Sequence, residues 1–203
     1  MILPLEPDSI QVAADAVRRG ECIVLPTDTV YGIGADAFSA PAVQRLLNAK
    51  RRGRDMPPPV LLPEADLLPT VAEVPDAARR LADAFWPGAL TLILRAVLPL
   101  DLGDRPTTIA VRVPDHAPAR ELLRATGLLA VSSANVSGEP SATTVAQARA
   151  MLGESVAVYL DGGPTPGDAP STIVDLSTDG ARIVRAGVIP ASRLADVCPG
   201  IVG

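Results

Sequence analysis

The first chemical feature of this chain is a run of basic side chains at residues 50–54, Lys-Arg-Arg-Gly-Arg, in a protein of net charge −5. Lys50 is its only lysine, and every other basic residue is an arginine. Ammonium and guanidinium groups bind phosphates and carboxylates. The run therefore predicts an anion-binding site, with a solvated helix end as the alternative that stays open.

Further polar side chains occur where apolar runs end. A Thr-Asp-Thr segment at 27–29 follows the apolar run 22–25, and a Ser-Ala-Asn segment at 133–135 follows the run 128–132. Ligands bind at strand ends in α/β sheets, although each segment alone is also typical of a turn. Arg112 gives the strongest single signal, because a charge in an apolar strand needs a partner or a ligand.

Several familiar catalytic motifs are absent from the sequence. It contains no GxSxG, GxGxxG or GxxxxGK[ST] segment, and its single histidine, His116, rules out a histidine-based metal cluster. What remains is a set of cations, hydroxyls and an amide. Such a set suits phosphate chemistry, in which positioning and charge neutralisation supply most of the rate.

Composition limits the class of protein. Hydrophobic residues make up 48% of the 203 residues, so we expect one domain over 1–203 with a sizeable core. The sequence pI of about 4.9 argues against a protein held on nucleic acid by its overall charge. Two isolated cysteines, an N-terminus unlike a signal peptide and no long apolar run predict a cytoplasmic protein without a membrane span.

The elements that must position these side chains alternate along the chain. Hydrophobic patterns predict strands at 22–25, 60–62, 90–94, 107–113, 128–132, 156–160, 171–175 and 182–185. Helix signals predict helices at 10–19, 39–50, 75–85, 115–126 and 144–152, whereas residues 27–34 are predicted to be a polar loop. This alternation predicts an α/β fold with helices packed on a twisted mixed sheet.

Taken together, the motifs resemble a known family. The segments PTDTVYGIGADAF, KRRGRDMPPPVLL, FWPGALTLIL, IAVRVPDH, SSANVSGEPSATT, STIVDL and RIVRAG occur in order. This order resembles the YrdC-like family of threonylcarbamoyl-AMP synthases, in its short form, over about residues 8 to 195. The resemblance implies a concave, positively charged cavity. It also implies a nucleotidyltransferase that makes L-threonylcarbamoyladenylate and pyrophosphate from L-threonine, bicarbonate or CO2, and ATP.

The resemblance also implies roles for individual residues. The catalytic set is Lys50, Arg52, Ser133 and Asn135, with Lys50 exposed in the cleft. The residues for L-threonine are Thr29, Arg112 and Ser171, and those for ATP are Arg52, Thr108, Ser133, Ser141 and Arg185. Mg²⁺ is expected with the ATP, without a protein metal site or a tightly bound cofactor. A threonylcarbamoyl transferase complex that modifies tRNA is the implied partner.

Four residues depart from the family pattern, and two other functions stay open. Arg51 stands where glycine is frequent, Met56 where many relatives have asparagine, Pro58 where leucine is frequent, and Leu61 where some have histidine. The first alternative function is a double-stranded RNA- or tRNA-binding protein, or a ribosome-assembly protein, that makes no adenylate. The second is the related module of hydrogenase-maturation carbamoyltransferases, although their cysteine-rich segments are missing here.

Overall fold

The computed structural model describes residues 1–105 and 107–203, which form ten strands and seven α-helices. The strands are β1 (Ile2–Pro4), β2 (Ile23–Leu25), β3 (Gly32–Asp36), β4 (Val60–Leu61), β5 (Leu90–Arg95), β6 (Thr108–Arg112), β7 (Leu129–Ser133), β8 (Val158–Asp161), β9 (Thr172–Asp175) and β10 (Arg182–Arg185). The helices are α1 (Pro7–Arg18), α2 (Ala40–Ala49), α3 (Leu68–Val71), α4 (Asp76–Phe85), α5 (Ala117–Thr126), α6 (Val145–Leu152) and α7 (Ala191–Val197).

All ten strands belong to one sheet, in the order β1-β8-β2-β3-β7-β4-β6-β5-β9-β10. β3 pairs antiparallel with both β2 and β7, whereas β4 pairs parallel with β6 and β5 parallel with β9. The predicted α/β fold with a mixed sheet is therefore confirmed. Among the described residues, no helix is both long and apolar enough to cross a membrane.

The sheet separates two apolar cores. Side chains alternate across a strand, so Val24 and Ala130 join the larger core, while Leu25, Leu129 and Val131 join the smaller one. The larger core packs the sheet against α2, α3, α4, α6 and α7. In the part of the chain that the structure describes, the smaller core packs it against α1 and α5 only. These two helices leave part of their face of the sheet uncovered, and the cavity described below lies there.

Most predicted elements are present, with ends that differ by a few residues. The predicted strands β9 and β10 are present and pair antiparallel, and the N-caps of α2 and α6 are the Ser39 and Thr144 side chains. Helix α5 begins two residues later than predicted, at Ala117 instead of 115. Its N-cap is His116, whose Nδ1 accepts a hydrogen bond from the Ala119 amide at 3.2 Å.

The predicted loop at 27–34 is wrong in its second half, where strand β3 begins at Gly32. Glycine is depleted in strands, so the pattern Gly-x-Gly indicated a loop. The close approach of β7 explains the glycine at 32, because a Cβ there would lie 2.6 Å from Val131 Cγ1. The sequence pattern also failed to predict the short elements β1, α3 and α7.

This packing predicts different costs for two glycines of one strand. We expect Gly32→Ala to lower the free energy of unfolding by about 1–3 kcal/mol, because Val131 has a stiff branched side chain and cannot yield easily. Gly34→Ala is the matched control, since a Cβ there would meet its nearest neighbours at 3.4 Å, an ordinary contact. Urea unfolding of both variants measures the difference, and equal stabilities would contradict the packing argument.

Candidate functional site

A cavity of about 410 Å³ lies against the sheet, on the face that α1 and α5 leave open. Leu61 and Val131, which belong to the smaller core, line it together with Gly32. Its size lies in the range of small-molecule sites. Four of its lining residues are arginines and one is an acid: Arg52, Arg105, Arg112, Arg185 and Asp55.

The cavity brings together most of the residues that the resemblance assigned. They come from separate loops and strands, and they are Thr29, Arg52, Thr108, Arg112, Ser133, Ser171 and Arg185. Lys50, Asn135 and Ser141 are not among the lining residues. The predicted site is therefore one place in the fold, but three of its predicted members lie outside the cavity wall.

Arg112 is the last residue of β6, and its buried guanidinium is held on three sides. Nη2 donates to Asp28 Oδ1 at 2.6 Å, Nη1 to Thr29 Oγ1 at 3.0 Å, and Nε to the Gly88 carbonyl at 2.9 Å. Burial lowers the pKa of Arg112, and the Asp28 carboxylate offsets part of that effect. The partner that the sequence demanded for this charge is therefore Asp28, within the Thr-Asp-Thr segment.

Ser171 and Arg185 form a second arrangement in the cavity wall. Arg185 donates from Nη2 to the Ser171 carbonyl at 2.8 Å and to Ser171 Oγ at 2.9 Å. Ser171 Oγ also lies 2.8 Å from Thr91 Oγ1. Burial lowers the pKa of Arg185, and the charges of Arg112 and Arg52 lower it further. The charges of Arg112 and Arg52 therefore act on Arg185 within one cavity.

Arg52 has fewer partners than Arg112. Its Nη1 donates to Ser132 Oγ at 3.0 Å, while its buried Nε has no hydrogen-bond partner among residues 1–105 and 107–203. Burial lowers its pKa, against the charge of Asp55, which raises it. In that same part of the chain, neither Arg52 nor Arg185 forms a salt bridge with a carboxylate. A bound anion would supply the missing countercharge.

The turn after α2 aims Lys50 and Arg52 into the interior. The Arg52 amide donates to the Leu47 carbonyl at 2.9 Å and the Arg51 amide to the Asn48 carbonyl at 3.0 Å, the two hydrogen bonds of a Schellman motif. Arg51 takes a φ of 52°, in the left-handed region that favours glycine. This geometry gives a physical reason for the glycine that is frequent at this position in the family.

Lys50 is buried, so the expectation of an exposed cleft lysine is wrong. Only 2% of its surface is accessible. Its Nζ donates to the Ser133 carbonyl at 2.5 Å, to the Asn135 carbonyl at 2.8 Å and to Asn135 Oδ1 at 3.3 Å. Burial lowers the pKa of Lys50 to about 8, and the charge of Arg52 adds to this. An ammonium has three donors, and all three have protein acceptors here.

Asn135 and Ser141 also lie behind or beside the cavity wall. The Asn135 amide donates from Nδ2 to the carbonyls of Val136 at 2.9 Å and Glu139 at 2.6 Å, so it fixes the loop that follows β7. Ser141 precedes Ala142, whose carbonyl accepts a hydrogen bond from the Tyr31 amide at 2.9 Å. Tyr31 lines the cavity, whereas Ser141 does not.

The basic run 50–54 does not form an open basic surface. Lys50 is buried, Arg52 faces the cavity, and Arg54 forms salt bridges with Asp101 and Asp104. Only Arg51 of the four cations is exposed. An RNA-binding surface formed by this run would therefore have little free positive charge for contacts with phosphates.

Sequence reasoning missed several residues of the site. Asp28, Thr91 and Ser132 all bond to predicted site residues, and Thr27 Oγ1 lies 3.0 Å from Thr29 Oγ1. Asp28 and Thr27 were available from the polar segment after β2. Thr91 and Ser132 gave no signal, because a single hydroxyl within an apolar strand looks like any other strand residue.

The fold and the cavity together define an α/β protein with an arginine-rich cavity, suited to a small anionic ligand, on one face of a mixed sheet. Residues 15–187 match the model of the Sua5/YciO/YrdC family, whose description is telomere recombination. The chain belongs to this family. A putative threonylcarbamoyl-AMP synthase of Mycobacterium tuberculosis is 50% identical over 188 residues, which cover 91% of this chain and 87% of that protein.

Two solved structures extend the comparison. P. abyssi Sua5 complexed with L-threonine has a TM-score of 0.92 and 32% identity, and the match covers 100% of this chain and 62% of that one. This chain therefore spans less than two thirds of the Sua5 length. E. coli YciO has a TM-score of 0.87 and 27% identity, with 96% of this chain and 98% of that chain covered.

The burial of Lys50 predicts a structural cost for its removal. We expect Lys50→Met to lower the free energy of unfolding by about 1–3 kcal/mol, because the Ser133 and Asn135 carbonyls lose their charged donor. Arg51→Met is the matched control, since Arg51 is adjacent but exposed. Urea unfolding compares the two, and a Lys50→Met protein as stable as Arg51→Met would contradict the assigned contacts.

Proposed function

We propose that the protein is an L-threonylcarbamoyladenylate synthase, which forms threonylcarbamoyl-AMP and pyrophosphate from L-threonine, bicarbonate or CO2, and ATP. The observation that carries this proposal is the pair of cavity arginines, Arg52 and Arg185, which form no salt bridge within the described part of the chain. An anionic substrate such as a triphosphate provides the countercharge that they lack. The names of the relatives support the same activity.

The two arrangements in the cavity suit two substrates. Arg112, Thr29 and Ser171 are proposed to hold L-threonine, because a guanidinium and two hydroxyls match a carboxylate and an alcohol. Arg52, Thr108, Ser133 and Arg185 are proposed to hold ATP. Ser141 and Asn135 lie outside the cavity wall and are proposed to support the ATP site through the loops that carry them. Lys50 is proposed to hold the main chain of 133–135 in place.

The proposed reaction needs charge neutralisation more than acid–base chemistry. The threonine amine adds to CO2 and loses a proton, which gives a carbamate. A carbamate oxygen then attacks the α-phosphorus of ATP, the bond to the β-phosphate oxygen breaks, and pyrophosphate leaves. Because the carbamate and ATP are both anions, the guanidinium groups of Arg52 and Arg185 are the proposed countercharges in the transition state.

Mg²⁺ fits this cavity as an ion carried by the nucleotide. The residues that the structure describes contain no group of three or more His, Cys, Asp or Glu side chains that could hold a metal ion. One carboxylate, of Asp55, lines the cavity. Mg²⁺ is often bound by one or two carboxylates together with substrate phosphates, so Asp55 is the proposed protein contact.

The product of this reaction is a mixed anhydride that must pass to an acceptor. We propose that a threonylcarbamoyl transferase complex takes it up for the modification of tRNA. Direct tRNA binding by this chain is proposed to be weak, because its net charge is −5 and the basic run is mostly buried or neutralised.

The activity itself can be tested with the purified protein. We expect pyrophosphate release from ATP that requires both L-threonine and bicarbonate, with threonylcarbamoyl-AMP identified by mass spectrometry. Omission of each substrate in turn provides the controls. Pyrophosphate release at the same rate without threonine would mean that the proposed function is wrong.

The countercharge role predicts a difference between two arginines of β10. We expect Arg185→Gln to reduce kcat/KM for ATP by roughly tenfold to a hundredfold, because a charge-assisted bond is worth about 1.5–3 kcal/mol. Arg182→Gln is the matched control, since Arg182 lies on the same strand but is 66% exposed and outside the cavity. Similar losses in the two variants would contradict the role of Arg185.

A further inference from the structure

We infer that Asp28 is a positioning residue for the threonine site, which it serves through Arg112. This inference rests on the proposed function and adds a residue that the family resemblance did not assign. Asp28 does not line the cavity, whereas Arg112 and Thr29, its partners in the same cluster, do. Asp28 therefore acts on a ligand in the cavity by fixing the guanidinium that faces it.

The contacts of Arg112 show how this positioning works. A guanidinium has five N–H groups, and protein oxygens accept from three of them: Asp28 Oδ1, Thr29 Oγ1 and the Gly88 carbonyl. Within the described residues, one N–H group on each Nη nitrogen is left for a ligand. Two donors on different nitrogens are what a bidentate contact with a carboxylate requires.

Burial makes the Asp28 contact the decisive one of the three. The side chains of Arg112 and Asp28 are only 8% and 15% exposed, so this ion pair is shielded from water. The other two partners are neutral oxygens, and they hold the guanidinium less strongly. Loss of the carboxylate leaves a buried charge with two neutral partners, so the guanidinium is expected to turn toward water or toward another acid.

Asp28 also faces a second group outside the cavity. The carboxylates of Asp28 and Asp115 both raise the pKa of His116, the N-cap of α5, against burial, which lowers it more. His116 is the only histidine in the chain, so the Hε1 proton of its imidazole gives a single NMR signal of its kind. That signal reports whether a substitution has removed the charge while the protein stays folded.

These contacts give a test with a matched control. We expect Asp28→Asn to raise the KM for L-threonine about tenfold or more, because the charged partner of Arg112 is lost, and to change the KM for ATP less than about twofold. Asp115→Asn removes an exposed carboxylate that also faces His116 but forms no hydrogen bond with Arg112. It should leave both KM values within about twofold.

The NMR signal separates positioning from a general effect of charge. Both substitutions should lower the pKa of His116, because both carboxylates raise it. Only Asp28→Asn should weaken threonine binding. An irreversibly inactive fraction lowers kcat but leaves KM unchanged, so a preparation that contains some such protein still gives the answer. If Asp28→Asn does not fold, Asp28→Glu replaces it: the longer carboxylate displaces Arg112, and the KM for threonine should rise with the KM for ATP unchanged.

The possible failures are distinguishable. A wild-type protein without threonine-dependent pyrophosphate release contradicts the proposed function, and the role of Asp28 falls with it. If the wild-type protein releases pyrophosphate in a threonine-dependent way but the Asp28 variant has an unchanged KM for threonine, only the positioning role is overturned. Equal increases in the KM values for threonine and ATP also overturn it, because a merely structural residue would affect both substrates alike.

Discussion

The main constraint on this structure is a group of buried or half-buried cations that form no salt bridge with carboxylates among the described residues. Burial lowers the pKa values of Lys50, Arg52 and Arg185, and the charge of Arg52 lowers those of Lys50 and Arg185 further. Neutral oxygens solvate them instead of carboxylates: main-chain carbonyls for Lys50 and serine oxygens for the two arginines. Such an arrangement leaves positive charge available for a ligand, and the fold must be rigid enough to hold it.

The helices are distributed unevenly over the two faces of the sheet, and this leaves room for the cavity. Five helices, α2, α3, α4, α6 and α7, pack on one face in the larger core, whereas α1 and α5 cover only part of the other. On the uncovered part, Gly32 leaves room beside Val131, and side chains from several strands point into one volume. The binding site is therefore a region of sheet face that core residues border, and Leu61 and Val131 serve both the core and the cavity wall.

Much of this arrangement could be predicted from the sequence, for identifiable reasons. Alternating apolar patterns predicted the α/β fold, and caps such as Ser39 and Thr144 fixed helix starts, because both signals are local. The ordered motifs predicted a site that holds Thr29, Arg112, Ser171 and Arg185 together, and the cavity does bring them together. Strand β3 was missed because its glycines are required by packing against β7, and β7 is distant in the sequence.

The sequence by itself determined the kinds of chemical group present, the family, and the need of Arg112 for a partner. Tertiary structure alone decided which groups face the ligand. In the folded protein Lys50 lies behind the cavity wall, where three protein oxygens accept hydrogen bonds from it, and Asp28 is the charged partner of Arg112. The physical reason is distance: Lys50 and Ser133 are 83 positions apart, and Asp28 and Arg112 are 84 apart. Which oxygen meets a cation across such a separation depends on strand pairing and packing.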